Sequence, residues 1–241
     1  MPHPAHKTRA NTLEKILNTL NATYTEHPMA EVTAGDAYKV LIGCIISLRT
    51  NDDVTIPACK KLFPLADTPE KMLRLPVEVI EQAIYPAGFY LTKARTIQSI
   101  SQALLEHFEG RVPNTIDALL TLKGVGRKTA NLVMGLGHGL PAICVDVHVH
   151  RICNRLGVIA TQTPDETEFA LRAMLPESYW FIINRVLVMH GRALCKAMSP
   201  KCQQCPVLSH CQQVGIHTQN RPVKTAKRTK KAPLSDNQTG S

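Results

Sequence analysis

Lys128 is the residue of this chain whose surroundings in sequence most suggest covalent chemistry. It follows the run Gly-Val-Gly-Arg and precedes the apolar residues Ala130, Leu132 and Val133, a pattern that predicts a tight turn and then the start of a helix. Most lysines are solvated and inert. An amine becomes a nucleophile when burial, neighbouring positive charge and the positive end of a helix favour its neutral form. We therefore expect Lys128 to be embedded among apolar side chains and to be reactive.

Asp146 is the candidate partner of this amine. It lies eighteen positions after Lys128 and is the only acidic residue between Asp117 and Asp165. An amine that attacks a sugar carbon needs a carboxylate to take up protons and to stabilise positive charge developing on the sugar. The same residue is also placed to be the N-cap of a helix over residues 147–154. The sequence favours neither role over the other, and the two are compatible.

The turn before Lys128 predicts a helix–hairpin–helix with Gly-Val-Gly at its tip. Glycines let a backbone approach a phosphate closely, and the N–H groups of the turn and of the second helix then form an anion site. Such contacts hold a DNA backbone without reading its sequence. The alternative is a tight helix–helix turn with no ligand. The candidate DNA-binding residues of this segment are Gly124, Val125, Gly126 and Arg127.

Four cysteines near the end of the chain predict a metal centre. Cys195, Cys202, Cys205 and Cys211 are separated by six, two and five residues. Four thiolates in so short a segment suit either a tetrahedral Zn²⁺ or a [4Fe–4S] cluster, and coordination chemistry alone leaves both open. The other four cysteines lie in apolar helical patterns and are predicted to be core residues: Cys44, Cys59, Cys144 and Cys153.

Charge is distributed very unevenly along the 241 residues. Residues 1–117 contain 12 Lys+Arg and 13 Asp+Glu, whereas residues 118–241 contain 16 and 6. A basic half of this kind indicates a polyanionic partner, most often nucleic acid. Lys196 and Lys201, inside the cysteine segment, are candidate DNA contacts. A basic tail on a neutral enzyme is the alternative, since residues 221–241 hold six cations and one acid.

No segment is predicted to direct the chain to a membrane or out of the cell. No apolar run approaches a membrane span, and the first residues lack the layout of a secretory signal. Eight cysteines without such a signal argue against a disulfide framework. The expected compartment is a reducing cytoplasm, with the protein associated with the nucleoid.

The hydrophobic pattern predicts an all-α protein made of many short helices. Long helices are expected at about residues 12–24, 37–48, 51–62, 92–108 and 179–189. Shorter ones are expected to begin at Thr68-Pro69, Pro76, Asn114 to Asp117, and Thr163-Pro164, where capping residues and prolines stand together. The polar, Lys-rich residues 220–241 are predicted to be disordered.

Two segments carry a resemblance to a known family. Leu122-Lys-Gly-Val-Gly-Arg-Lys-Thr-Ala-Asn131, followed by Val145-Asp-Val-His148, resembles the endonuclease III family of helix-hairpin-helix DNA glycosylases, over about residues 8–215. The resemblance implies a six-helix barrel domain with the hairpin at residues 30–140. It also implies an iron–sulfur domain built from both chain ends, residues 8–29 and 141–215.

The resemblance also implies an activity and assigns residues to it. The expected enzyme removes oxidised pyrimidines from double-stranded DNA, acts as a monomer, and cleaves the abasic site on its 3′ side by β-elimination. Lys128 falls on the family's catalytic lysine, which displaces the base at C1′ and forms a Schiff base, and Asp146 falls on its catalytic aspartate. The four-cysteine segment matches the family's [4Fe–4S] loop.

Two further positions are assigned by this resemblance, and one departs from the family. Arg49 stands where the family usually has a glutamine that fills the gap left by the extruded base. An arginine there can stack and can hydrogen-bond a purine, so it bears on which opposite base is accepted. Phe89 falls where the family has an apolar wedge, which helps offset the cost of unstacking. A core aromatic is the alternative for Phe89.

Three other functions compete with this one. An adenine-mismatch-type monofunctional glycosylase shares the hairpin and cluster but lacks the lysine nucleophile and normally has an extra C-terminal domain. A non-catalytic helix-hairpin-helix DNA-binding protein needs neither the pair Lys128 and Asp146 nor the cysteines. An electron-transfer protein fits the cluster but leaves the hairpin and the basic half unexplained. The bifunctional glycosylase accounts for all four features.

Overall fold

The protein is described by a computed structural model that covers residues 4–25 and 30–216, with the backbone alone for residues 4–7 and 30. The predicted disordered tail, residues 220–241, lies outside this part of the chain. Every regular element described is helical, as predicted, and no strand occurs among the residues covered. The helices are α1 Pro4–Asn21, α2 Ala30–Thr33, α3 Ala37–Ser47, α4 Asp52–Leu62, α5 Pro69–Arg74, α6 Val77–Ile84, α7 Tyr90–Phe108, α8 Ile116–Leu120, α9 Arg127–Leu132, α10 Val147–Leu156, α11 Pro164–Met174 and α12 Trp180–Ala193.

A first hydrophobic core forms around α3. This helix is apolar on nearly all sides, and its residues 40–46 are all buried. Helices α4, α6 and α7 pack against one another and around it, and the core continues to Val133 after α9. An all-round apolar helix must lie inside a core rather than on its surface, which explains its central position.

A second core joins the two ends of the described chain. Helix α1 contributes one fully buried stripe, which the 3.6-residue period predicted: Leu13, Ile16, Leu17 and Leu20. These side chains pack with α10, α11 and α12 and with Val207 in the cysteine segment. The predicted division into residues 30–140 and residues 8–29 with 141–215 stays a proposal.

Helix ends follow the capping chemistry of the sequence, with some corrections. Thr68 and Thr163 accept hydrogen bonds from N–H groups three residues on, as predicted. The helix before the hairpin begins between Asn114 and Asp117, as predicted, and its cap is Thr115. Asn51 precedes α4, as predicted, but its side chain makes no capping hydrogen bond. Helix α1 begins at Pro4, eight residues before the predicted start.

The hairpin consists of two very short helices, α8 and α9. Gly124 turns the chain between them with φ of +77°, a left-handed conformation that side chains with a Cβ rarely adopt. Helix α9 continues into one π-helical turn, Val133–Gly137. There a Cβ on Gly137 would lie 2.8 Å from the Cα of Ala37, so the turn lies directly against the start of α3. The helix that carries Lys128 is thereby fixed to the first core at its far end.

None of the described helices combines the length and the apolar character that a membrane crossing requires.

Candidate active site and DNA-binding surface

Lys128 lies in the first turn of α9 with its side chain exposed. The prediction that it would be embedded among apolar side chains is wrong, because Ala130 and Val133 face the core from the opposite side of the helix. Its main chain is nonetheless anchored, since the buried Cys144 thiol donates to the Lys128 carbonyl oxygen at 3.6 Å. An exposed amine on an anchored backbone is accessible to a large substrate.

Asp146 is half-buried and caps α10. Its Oδ1 accepts hydrogen bonds from the N–H groups of His148 and Val149, each at 2.9 Å. The predicted capping role is therefore confirmed. Within the described chain, Oδ2 has no hydrogen-bond donor, so one oxygen orients the carboxylate and the other stays open.

Lys128 and Asp146 both act electrostatically on two neighbouring side chains, those of Cys144 and His148. Burial raises the pKa of Cys144, the Lys128 ammonium opposes this, and the Asp146 carboxylate adds to it. At His148, burial lowers the pKa, Asp146 opposes this, and Arg151, Arg192 and Lys128 add to the lowering. Both charges therefore lie within electrostatic reach of the Cys144 and His148 side chains.

Arg127 does not present its guanidinium to solvent as a DNA contact. Its Nε and Nη2 donate to the two oxygens of Glu168 at 2.9 and 3.2 Å, and the group stacks 4.8 Å from the Phe169 ring. Glu168 is buried and also receives hydrogen bonds from Asn131 and Arg172. The backbone N–H of Arg127 is free of these side-chain contacts and is a candidate for phosphate binding.

The hairpin tip offers fewer donors than the sequence predicted. Val125 has a buried side chain, and its N–H already donates to the Leu122 carbonyl oxygen at 3.1 Å. Gly124 and Gly126 are exposed, and a Cβ on Gly126 would meet no atom within 4 Å. The open backbone around the two glycines and the first N–H groups of α9 are the anion-binding part of the hairpin.

Arg49 and Phe89 lie together on the surface. Phe89 is 64% exposed, so the core-aromatic alternative is wrong. The guanidinium of Arg49 lies 5.8 Å from the Phe89 ring centroid, a cation–π contact between two loops. Both residues have a positive φ, +52° and +59°, which is rare for side chains of this size. Such conformations cluster at functional sites.

The four predicted cysteine ligands line one small cavity. Burial raises the pKa of Cys205, and the remaining three thiols of the set raise it further, which indicates that all four are close together. No three His, Cys, Asp or Glu side chains of the described chain are arranged as a site for a single metal ion. Lys196 and Lys201 are exposed beside the cavity, where DNA can reach them.

Two arginines of α10 hold this cysteine segment in place. Arg155 donates to the carbonyl oxygens of Lys196 and Ala197 at 2.6 and 2.7 Å. Arg151 donates to the Cys195 carbonyl oxygen and to His148 Nδ1, both at 3.0 Å. Helix α10 therefore connects the Asp146 cap at its start to the cysteine segment along its length.

Comparison with known proteins identifies the family. Residues 42–177 match the HhH-GPD superfamily of base excision DNA repair proteins. Endonuclease III of Thermotoga maritima is 46% identical over 177 residues, which are 73% of this chain and 83% of the relative. That of Bacillus subtilis is 36% identical over 188 residues, 78% and 86% of the two chains. The chain belongs to the endonuclease III family.

Solved endonuclease III structures agree with this assignment. A trapped endonuclease III–DNA covalent intermediate, an estranged-adenine complex, matches with a TM-score of 0.74 and 32% identity over 85% of this chain and 96% of that one. The predicted all-α helix-hairpin-helix fold is confirmed. The predicted function, base excision repair by an endonuclease III-type DNA glycosylase and AP lyase, is confirmed as well. Endonuclease III enzymes generally carry a [4Fe–4S] cluster.

Sequence reasoning missed several residues that organise this endonuclease III site. Glu168 and Arg151 were not identified because their partners lie 41 and 44 positions away in sequence. Lys93 was also missed, although its position did carry a signal. It stands four residues before Ile97 on the buried stripe of α7, where a lysine is unusual, and burial lowers its pKa to about 8.

Proposed function

We propose that Lys128 and Asp146 are the catalytic residues of a bifunctional glycosylase for oxidised pyrimidines in double-stranded DNA. The observation that carries this assignment is the anchoring of both residues through one segment. The Cys144 thiol bonds to the Lys128 carbonyl, and Asp146 follows Cys144 by two residues. The amine is exposed to a substrate, while the carboxylate keeps one oxygen open.

The reaction follows from these two groups. Asp146 takes a proton from Lys128, and the free amine attacks C1′ as the bond to the damaged base breaks and the base leaves with the electron pair. The attached amine then gives up a proton through Asp146 to the ring oxygen O4′, and the C1′–O4′ bond opens to give a Schiff base between Lys128 and C1′. Loss of a proton from C2′ expels the 3′ phosphate, which is β-elimination. During base loss Asp146 passes the proton that it took from Lys128 to the departing base, and the carboxylate, charged again, stabilises the positive charge that develops on the sugar.

The exposure of Lys128 in the free chain is consistent with this role. A duplex that docks on the hairpin covers the first turn of α9 and excludes water from the amine. The backbone N–H groups of Gly124, Gly126 and Arg127 would hold the phosphates at this place. Desolvation is then supplied by the substrate and not by the fold.

The four cysteines fit a [4Fe–4S] cluster, because they supply a thiolate each around one largely apolar cavity. Cys195, Cys202, Cys205 and Cys211 would hold it. When bound, the cluster fixes the fold of this segment, and its redox chemistry is not needed for base removal. Lys196 and Lys201 would then contact DNA phosphates. We further propose that the enzyme acts as a monomer in the cytoplasm, associated with the nucleoid.

Borohydride trapping on a thymine-glycol duplex tests the proposed chemistry. We expect the native chain to form a covalent complex with DNA, because borohydride reduces the Schiff base to a stable amine. Lys128→Ala should form none, whereas Lys61→Ala, which removes an exposed lysine of α4, should trap like the native chain. Absence of a trapped complex with the native chain contradicts the lyase assignment. Removal of adenine from a mismatch without trapping would instead favour a monofunctional glycosylase.

A further inference from the structure

Two loops that carry Arg49 and Phe89 are joined by a hydrogen-bond network beneath the surface. The first loop, residues 48–51, follows α3, and the second, residues 85–89, precedes α7. The hydroxyl of Thr50 accepts the Gly88 N–H at 3.1 Å and donates to the Leu48 carbonyl oxygen at 3.3 Å. A Cβ on Gly88 would lie 3.0 Å from the Arg49 carbonyl oxygen, so the two backbones touch. The loops form one unit.

Lys93 lies under this unit and is only 5% exposed. Its ammonium group donates to the Ile46 carbonyl oxygen at 2.6 Å and to Thr50 Oγ1 at 2.8 Å. No carboxylate of the described chain forms an ion pair with it. A buried cation between neutral oxygens is a poor way to stabilise a core, because desolvation disfavours it. A specific role for Lys93 therefore explains its burial better than a contribution to core stability does.

The network acts on the residues next to it in sequence. Arg49 immediately precedes Thr50, and Phe89 immediately follows Gly88. Both hold left-handed backbone conformations that are unfavourable unless the surroundings impose them. The hydrogen bonds of Thr50 and Lys93 supply that constraint, and they bring the Arg49 guanidinium to the Phe89 ring. We call Arg49 and Phe89 the wedge pair.

We propose that Lys93 and Thr50 are positioning residues for base extrusion, which hold the wedge pair preformed for insertion into the duplex. This inference rests on the proposed function. Extrusion of a base costs unstacking and unpairing, and inserted side chains offset that cost. A pair already held in its inserting conformation loses less conformational freedom on insertion than two independent loops. The network would therefore accelerate base removal in particular.

The test separates base extrusion from the later chemistry. Two substrates are compared under single-turnover conditions: a thymine-glycol duplex, which must be unstacked, and a duplex with a preformed abasic site, which has no base to extrude. For Lys93→Met and Thr50→Val we expect base removal to slow by about tenfold or more. Cleavage of the abasic duplex should change by less than about threefold. Thr50→Ser, which keeps the hydroxyl, should restore the native ratio of the two rates.

Matched controls and a double variant exclude a general loss of structure. Lys15→Met and Thr19→Val remove the same groups from α1 and should leave the ratio unchanged. Lys93→Met with Thr50→Val together should lose less than the product of the two single losses, because the two residues share one hydrogen bond. Where Lys93→Met does not fold, the two Thr50 variants decide the outcome.

Two results would overturn the inference. In the first, Thr50→Val slows both substrates in the same proportion or slows neither. In the second, the single losses multiply in the double variant, which means that the residues act independently. If the variants give either result while the native chain processes both duplexes, the proposed function remains intact. A native chain that cleaves neither substrate overturns the proposed function and this inference with it.

Discussion

At the scale of single residues, Asp146 combines two roles in one carboxylate. Oδ1 caps α10 through two backbone N–H groups, whereas Oδ2 has no hydrogen-bond donor within the described chain and is the oxygen that we propose for catalysis. A cap needs only an acceptor, whereas proton uptake and stabilisation of a cationic sugar need a negative charge. The two roles therefore respond differently to substitution.

Asparagine at this position should separate the two roles. In Asp146→Asn the amide oxygen still accepts the N–H groups, so the free energy of unfolding should change by less than about 1 kcal/mol. Base removal should slow by about 100-fold or more, because the amide takes up no proton. Asp146→Ala should lose activity and, in addition, about 1 kcal/mol of stability. Urea unfolding and single-turnover excision measure the two effects, and an active Asp146→Asn enzyme would contradict the catalytic assignment.

At the scale of elements, Glu168 connects the hairpin to α11. Its carboxylate, 3% exposed, receives hydrogen bonds from Arg127 at the start of α9 and from Arg172 one turn on in α11. Asn131 adds a third donor at 2.8 Å. One buried side chain therefore sets where the helix of Lys128 begins relative to the second core.

Neutralising Glu168 should destabilise the protein substantially. Glu168→Gln leaves two arginines without their shared anion, so we expect the free energy of unfolding to fall by about 3 kcal/mol. Glu78→Gln, which changes an exposed carboxylate of α6, should alter it by no more than about 0.5 kcal/mol. The measurement is urea unfolding followed by circular dichroism. Equal stability of the two variants would show that the Glu168 network contributes nothing to the fold.

The sequence predicts the elements better than it predicts the partners of their side chains. The buried α3 and the capping threonine Thr68 were predicted correctly, because periodicity and capping act within a few residues. The exposure of Lys128 and the pairing of Arg127 were not. Both depend on which face of α9 meets a helix 41 positions away, and local pattern carries no information on that. The motif resemblance assigned catalytic roles to Lys128 and Asp146 but gave no information on their surroundings.

At the scale of the whole molecule, the DNA contacts that we propose come from distant parts of the chain. The hairpin belongs to the first core, whereas Lys196 and Lys201 stand on the cysteine segment that α10 holds. Each exposed lysine that neutralises a phosphate releases condensed counterions, so affinity should fall with salt in proportion to the number of contacts. The salt dependence of binding therefore counts the lysines that touch DNA.

Lys196 and Lys201 should each account for one phosphate contact in the salt dependence of DNA binding. In Lys196→Ala and Lys201→Ala, the slope of log K against log salt should become shallower by about 0.9 per lysine. The loss should be similar for damaged and undamaged duplexes, because phosphate contacts carry no sequence information. Fluorescence anisotropy at several salt concentrations measures it, with Lys15→Ala as the control. Slopes parallel to the native one would remove these residues from the interface.

The union of the first and last helices in one core has a consequence for the order of folding. During synthesis, α3 to α9 can close the first core as soon as residue 133 is available, whereas α1 must wait for partners as late as Leu187. The wedge pair and Lys128 are therefore assembled on a nascent chain that still lacks its carboxylate partner and its cysteine segment. The nascent chain would therefore pass through a stage at which it can bind a duplex but cannot yet cleave a strand.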